Sequence, residues 1–417
     1  MNRFKLAILL LFGLAAFTSC EDDEQKVNVN KEVYNLMKDW YYWYDQLPNV
    51  DPNSYPDPVE LVKAIRVNPP DRWSYVTTKQ ELDAYYKQAA YIGFGFGSAF
   101  TADNKLIITF VFNTSPLYAN GIGRGWEIVS IDGQTPTPDN YSALIGPSEV
   151  GLTKTFVFKS PSGQTVQHTF SKAQIEMNTV LLDSVYTING KKVGYFVLKG
   201  FIEKTNDELN AVFQKFKSAG VSELVCDLRY NGGGQVNVSQ FLGNLIGGSI
   251  AFGRVFGQYI HNDKHSDKNS HLYFSTTQNS LELQRAIFIT TSITASASEL
   301  VINALKPFMD VVLVGSKTHG KPVGMYTFEF KDPSIDWAIV PVCFSIRNAN
   351  NDGDYYDGIP VTIEAADDVL TPLGEVTESS LNASLNYLGL GTKVVTKRYV
   401  TAQPITGKGL YEEIGAW

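Results

Sequence analysis

Leu224-Val-Cys-Asp-Leu-Arg-Tyr-Asn-Gly-Gly-Gly (224–234) begins as a short apolar run and ends in three glycines. That pattern reads as a buried strand running into a tight turn that opens a helix. Successive glycines let main-chain N–H groups approach a bound molecule closely and converge on one spot, as a developing oxyanion requires. A phosphate loop is excluded, because no Lys-Ser/Thr pair follows and the Walker spacing is absent. Upstream, Val193-Gly-Tyr-Phe-Val-Leu reads as a strand and Asn206 to Ala219 as an amphipathic helix. Downstream, Ala286-Ile-Phe-Ile-Thr-Thr reads as a strand leading into a helix from Ser296 to about Lys306. Val311-Val-Leu-Val-Gly and the long Ala338 to Ile346 run are expected to continue the sheet. Alternating strands and helices over 173–392 predict an α/β core with a mixed sheet.

Two further motifs fall in this core. Thr294-Ala-Ser-Ala-Ser-Glu-Leu (294–300) leads small residues into a helix. A serine there sits at a helix N-terminus, where the dipole and free N–H groups favour negative charge. Ser296-Ala-Ser-Glu299 is also a Ser-x-x-Glu capping box, an ordinary way to begin a helix. Thr318-His-Gly-Lys-Pro (318–322) forms a loop after an apolar strand, and its lysine taken alone reads as a solvated charge.

The chain of 417 residues is long enough for about three domains. Its 44% apolar and 19% charged residues exclude a disordered tail, a collagen-like fibre and a long coiled coil. A net charge of −8 with no basic block excludes nucleic acid as the natural partner. Residues 20–87 read as a tether and small helical region, with a dense aromatic cluster at Trp40 to Tyr44 that is expected to dock on a neighbouring domain. Residues 88–172 alternate short β-rich runs with Gly/Pro turns and predict a β-rich domain. The 393–417 tail is mixed and suggests no element. His261-Asn-Asp-Lys-His265 has metal-like spacing only on a helix, but its polar surroundings predict a loop. Cys226 and Cys343 each lie in an apolar run and are expected as buried free thiols.

Residues 1–20 combine Arg3 and Lys5, an apolar run from Leu6 to Phe17, and Phe17-Thr-Ser-Cys20. The run is too short to span a bilayer. It resembles a bacterial lipoprotein signal, which implies cleavage after residue 19, acylation of Cys20 and membrane attachment through that lipid anchor alone. Removing Arg3 and Lys5 takes the net charge from −8 to −10. Glu21-Asp-Asp-Glu24 resembles a surface-export signal of Bacteroidetes lipoproteins. Together these resemblances imply a cell-envelope protein, anchored to the outer membrane and either periplasmic or surface-exposed.

Two segments of the β-rich region resemble a PDZ domain. Tyr91-Ile-Gly-Phe-Gly-Phe is similar to its carboxylate-binding loop, and Pro116 to Gly133 to its helix, turn and following strand. The resemblance implies that Ile92, Gly93, Phe94, Gly95 and Phe96 bind peptide, with a strand edge accepting the ligand.

Taken together, the three core motifs resemble the carboxyl-terminal processing, or tail-specific, serine peptidases. Members of that family carry a serine in an Ala-Ser-Ala-Ser-Glu run and a lysine in a Gly-Lys pair about 25 residues later. The resemblance implies that Ser296 is the nucleophile and Lys321 the general base, with Glu299 at an accessory acidic position. It also implies that the amides of Ala297 and of Gly233 or Gly234 form the oxyanion hole, that polypeptides are the substrates, and that no metal or other cofactor is used. A lysine must be neutral to accept the serine proton, and burial favours the neutral form. Glu299 can hold Lys321 or simply close the capping box, and the sequence leaves both readings open. His319 offers a rival base, but no Gly-x-Ser-x-Gly elbow surrounds Ser296. A different class of reading is an inactive lipoprotein that binds peptides or glycans on the same fold.

Overall fold

In the computed structural model, which describes residues 28–86, 89–391 and 402–404, the run around Cys226 is an inner strand of a six-stranded sheet. Residues 1–20, expected to carry the export signal and the acylated Cys20, and most of the 393–417 tail lie outside the described residues. At the amino-terminal side, α1 (Val29–Trp40) and α2 (Pro58–Ile65) begin on Asn28 and Asp57, whose side chains accept the N–H groups of Lys31 and Glu60. Strand β1 (Tyr75–Thr78) and helix α3 (Lys79–Tyr86) follow. Val33, Met37, Leu61 and Ile65 share one apolar cluster with Val323, Ile339 and Val342, so these helices are docked on the core. The aromatic cluster serves that docking. Tyr41 is buried and donates to Asp71 Oδ2 at 2.8 Å, while Trp40 stacks on His265 with ring centroids 3.6 Å apart.

The β-rich domain runs through β2 (Ala90–Gly93), β3 (Phe96–Thr101), β4 (Leu106–Val111), α4 (Pro116–Ala119), β5 (Glu127–Ile131), α5 (Tyr141–Ile145), β6 (Thr153–Lys159), β7 (Thr165–Ser171) and β8 (Ala173–Glu176). Strands β3 to β7 pair antiparallel in chain order, while β2 pairs separately with β8.

The core begins with β9 (Val180–Ile188), β10 (Lys191–Leu198), α6 (Thr205–Ala219), β11 (Glu223–Asp227) and α7 (Val236–Ala251). A hairpin, β12 (Val255–His261) and β13 (Ser270–Tyr273), precedes β14 (Arg285–Thr290), α8 (Ala297–Leu305) and β15 (Asp310–Gly315). Then come β16 (Val323–Met325), β17 (Phe328–Glu329), β18 (Trp337–Val340), β19 (Val342–Arg347), β20 (Ile363–Glu364) and α9 (Ser379–Tyr387). A last strand, β21 (Ala402–Pro404), returns to pair with β3. The six-stranded sheet has the order β20-β15-β14-β11-β10-β9, parallel throughout except for β9. It is buried on both faces, as parallel sheets are. Phe196, Leu198, Leu224, Cys226 and Phe288 face α6, α7 and α8, while Tyr195, Val197, Val225 and Ile287 face α9.

Two expectations are corrected. The Ala338 to Ile346 run does not continue the central sheet. Pro341, which cannot donate to a ladder, divides it into β18, paired with β1 and β17, and β19, paired with β12 and β16. The His261 to Asn269 stretch is not a bare loop, because His261 ends β12 and residues Asp263–Lys268 form a 3-10 turn capped by Asn262. Among the described residues no cluster of acidic, His or Cys side chains could hold a metal. Cys226 and Cys343 are free and buried, and burial pushes both thiols up, Cys343 to about 12.

Lys199, just beyond β10, is 5% exposed and holds its ammonium 5.6 Å from the Phe110 ring of the β-rich domain. Burial lowers its pKa to about 7. Between about pH 7 and pH 10.4 the unfolded chain therefore binds a proton that the folded chain does not, so stability rises with pH across that window. Lys199→Met should be more stable at pH 7 and should lose this slope, measured as urea midpoints at pH 7, 8.5 and 10.

Candidate active site

The carboxyl ends of adjacent parallel strands are where open α/β sheets gather ligands. Here β11 delivers Asn231 to Gly234, β14 delivers Ser296, and β15 delivers Lys321. Hydrogen bonds join the first two loops. Thr294 Oγ1 donates to the Leu228 carbonyl at 2.9 Å, Ala295 N–H to the Asn231 carbonyl at 3.2 Å, and Ser298 Oγ to the same carbonyl at 3.1 Å. His319 N–H donates to the Thr294 carbonyl at 2.9 Å and brings in the third.

Ser296 stands immediately before α8 at φ 55° and ψ −115°, a backbone setting that costs a non-glycine residue about 1–3 kcal/mol. Gly233 lies against it. A Cβ built on Gly233 would stand 2.8 Å from Ser296 Cβ and 3.1 Å from the Ala297 nitrogen, and φ there is +111°. Gly234, at φ +135°, would place a Cβ 2.2 Å from the Phe201 carbonyl oxygen. Only glycine fits either position. The choice between their amides is now sharper. Gly233 N–H donates to Asn231 Oδ1 at 2.9 Å, whereas the N–H groups of Gly234 and Ala297 take no partner among the described residues.

Glu299 does both things that the sequence left open. Its Oε2 accepts the N–H of Ser296 at 2.9 Å, which is the carboxylate arm of the capping box. The same oxygen accepts Lys321 N–H at 2.8 Å, and Oε1 accepts Gly320 N–H at 2.7 Å and Thr318 Oγ1 at 2.5 Å. Glu299 thus holds the lysine by its backbone. A carboxylate offers about four lone-pair sites, and all are filled. Burial pushes its carboxyl above the usual range, while these donors favour the ionised form. Three of the four partners are N–H groups that can only donate. Lys321 itself is 7% exposed.

A cavity of about 360 Å³ opens over these groups. Ser296, Ala297, Gly234 and Lys321 line it together, and Leu300, Val323, Met325, Phe344 and Ile346 make much of its wall apolar. His319 is not among the lining residues. Its Nε2 accepts Trp73 Nε1–H at 3.1 Å, and its Nδ1 lies 3.3 Å from the Ser292 carbonyl, so both ring nitrogens are engaged.

The Ile92 to Phe96 segment also stays out of the cavity. Phe94 and Phe96, expected in a peptide groove, have no exposed surface and pack with Phe156 in the β-domain core. Gly93 pairs with Ala173 in the β2–β8 ladder, and Ile92 is only half-buried. The Phe94 carbonyl accepts Ser115 Oγ at 2.7 Å and the Gly95 carbonyl accepts Phe112 N–H at 2.9 Å, which leaves only N–H groups of this turn to face a ligand.

Sequence reasoning missed a buried ionic cluster beneath the glycine turn. Arg229, fully buried, pairs with Asp227, Glu378 and Asp367, each at 2.8 Å. Arg124, from the turn before β5, reaches Asp367 at 2.7 Å and the Tyr230 hydroxyl. Burial raises Asp227, whereas at Asp367 burial is outweighed by Arg124 and Arg229, which hold its carboxyl well below the usual range. Asp227, Arg229 and Tyr230 lie in the opening stretch, but Asp367 and Glu378 are over a hundred residues away, and no local spacing links them.

Residues 192–342 match the model of Peptidase family S41, and residues 28–75 that of the Peptidase S41 N-terminal domain. A Staphylococcus saprophyticus protein described as a CtpA-like serine protease is 24% identical over 339 residues, covering 79% of this chain and 64% of that protein. The carboxy-terminal processing protease CtpB of Bacillus subtilis is 27% identical over 224 residues, covering 52% of this chain and 44% of CtpB. The chain therefore spans 64% and 44% of the length of these two curated relatives. A crystal structure described as an S41 protease from Bacteroides fragilis superposes with a TM-score of 0.71 at 25% identity, covering 86% of this chain and 97% of that one. The photosystem II D1 C-terminal processing protease shares the fold, with a TM-score of 0.51 at 17% identity, covering 81% of this chain and 92% of that one.

Two substitutions test the scaffold. Glu299→Gln turns an amide N–H₂ toward two donors, at about 1–3 kcal/mol for each buried group left unpaired. Arg229→Met leaves buried carboxylates facing one another, at about 3–5 kcal/mol. Urea denaturation should show both variants well below the parent protein in stability.

Proposed function

We propose that this chain, similar to peptidase family S41 over residues 28–75 and 192–342, is a serine endopeptidase of the carboxyl-terminal processing type, acting on exported polypeptides through Ser296 and Lys321. The supporting observation is the convergence on one cavity of the Ser296 hydroxyl, the buried Lys321 and the uncommitted amides of Gly234 and Ala297. In this reading Ser296 Oγ attacks the scissile carbonyl and its proton passes to the Lys321 amine. The tetrahedral oxyanion rests on the N–H groups of Ala297 and Gly234, where one lost donor typically costs about a hundred- to a thousandfold in turnover. The lysine then protonates the leaving amine, the acyl-enzyme forms, and the same amine activates the water that releases it. Glu299 is a positioning residue, holding the Lys321 backbone against the start of α8. The apolar wall formed by Leu300, Val323, Met325 and Phe344 favours an apolar substrate side chain beside the scissile bond. The β-rich domain presents the polypeptide. Export through residues 1–19 and acylation of Cys20 would hold the body at the outer membrane, with Glu21 to Glu24 as a spacer.

A fluorophosphonate probe should label Ser296 covalently, with the modified peptide identified by mass spectrometry. Lys321→Ala should slow labelling roughly a hundredfold or more while the fold is retained. An unreactive serine in folded protein would overturn the reading.

A further inference from the structure

The loop that carries Lys321 is gripped from a second side, by the amino-terminal helical region. Arg72 Nη2 donates to the His319 carbonyl at 2.8 Å, and Trp73 Nε1–H donates to His319 Nε2 at 3.1 Å. The His319 N–H is held by the Thr294 carbonyl at 2.9 Å, and Nδ1 lies 3.3 Å from the Ser292 carbonyl. Every polar group of His319 is therefore engaged, two residues before the lysine. We propose that Arg72 and Trp73 are positioning residues for the Lys321 base, fixing through His319 where the amine stands against Ser296. This rests on the reading of Lys321 as that base and adds the residues that set its place.

Three observations support it. The peptide joining His319 to Gly320 is held at both edges, its C=O by Arg72 and its N–H by Glu299 Oε1 at 2.7 Å. A peptide plane fixed at both edges cannot rotate, and this one leads directly into Lys321. On a further side the loop lies close to the Tyr356 backbone, whose carbonyl oxygen stands 2.3 Å from the place a Gly320 Cβ would take.

The grip is itself well founded. Trp73 is 8% exposed, and the fully buried Asp71 accepts the N–H groups of Trp73 and Ser74 at 2.9 Å each and the Tyr41 hydroxyl at 2.8 Å. Ser74 Oγ accepts the Val342 N–H at 2.9 Å, which ties the same segment to β19. Arg72 lies over the Trp73 ring, 5.3 Å from its centroid, so each side chain braces the other.

Arg72, Trp73 and His319 are all absent from the cavity wall. They can reach the chemistry only through the placement of Lys321. Proton transfer needs the base within about 2.6–3.2 Å of the hydroxyl, and a misplacement of about 1 Å can cost about a hundredfold in rate.

The test resolves labelling of Ser296 by a fluorophosphonate into a maximal rate and a half-saturating probe concentration. Arg72→Met and Trp73→Phe should each lower the maximal rate about tenfold or more and leave the half-saturating concentration unchanged. Arg72→Lys, which keeps a donor for the His319 carbonyl, should restore most of the rate. Hydrogen exchange at the Gly320 and Lys321 amides should quicken in the two impaired variants. Arg72 is exposed, so Arg72→Met decides the matter should Trp73→Phe fold poorly. An unlabelled parent protein would overturn the peptidase reading and this inference with it. A labelled parent whose variants keep its maximal rate would overturn this inference alone, whatever they lose in urea stability. A slower reaction that comes entirely from a raised half-saturating concentration counts against it as well.

Discussion

One carboxylate holds the candidate active site together. Glu299 accepts from Ser296 N–H, Lys321 N–H, Gly320 N–H and Thr318 Oγ1, so the start of α8 and the loop after β15 are fastened to the same two oxygens. Without that ion, two loops from different strands would have to find a common register by packing alone. With it, the backbone of Lys321 is set relative to the backbone of Ser296.

A second constraint lies below the first. The glycine turn that faces Ser296 rests on Arg229, whose guanidinium joins Asp227, Asp367 and Glu378, and Arg124 carries the same network into the β-rich domain. Buried ion clusters of this kind contribute little net stability but penalise every arrangement that leaves a charge unpaired. The network therefore ties the orientation of the β-rich domain to the position of the turn. Tyr230, one residue from Asn231, is part of both, since its hydroxyl donates to Asp367 Oδ2 at 2.5 Å and receives Arg124.

Much of this was legible in the sequence, and the reason is local. Strand periodicity around Val193, Leu224 and Ala286, the Ser-x-x-Glu helix start at Ser296, and glycines that only a turn can use are written in adjacent residues. What misled was also local. The Ala338 to Ile346 run has the composition of one long strand, and only Pro341 hints that it is two strands in two sheets. Phe94 and Phe96 sit in a glycine-rich turn that invites a groove, yet their rings are swallowed by the core against Phe156. His319 neighbours Lys321 in sequence but is turned to Trp73 and Ser292.

Residues adjacent in the chain set most of the elements: the strands around Val193, Leu224 and Ala286, the start of α8, and the positions of the nucleophilic and basic groups. Tertiary structure alone decided that Gly234 rather than Gly233 keeps a free amide, that Glu299 grips the Lys321 loop as well as its own helix, and that Ala402 to Pro404 closes the edge of β3. The division has a physical cause. Helix starts, turns and apolar periodicity are set by neighbours along the chain. Hydrogen-bond saturation, charge pairing and edge occupancy depend on residues brought together from far apart.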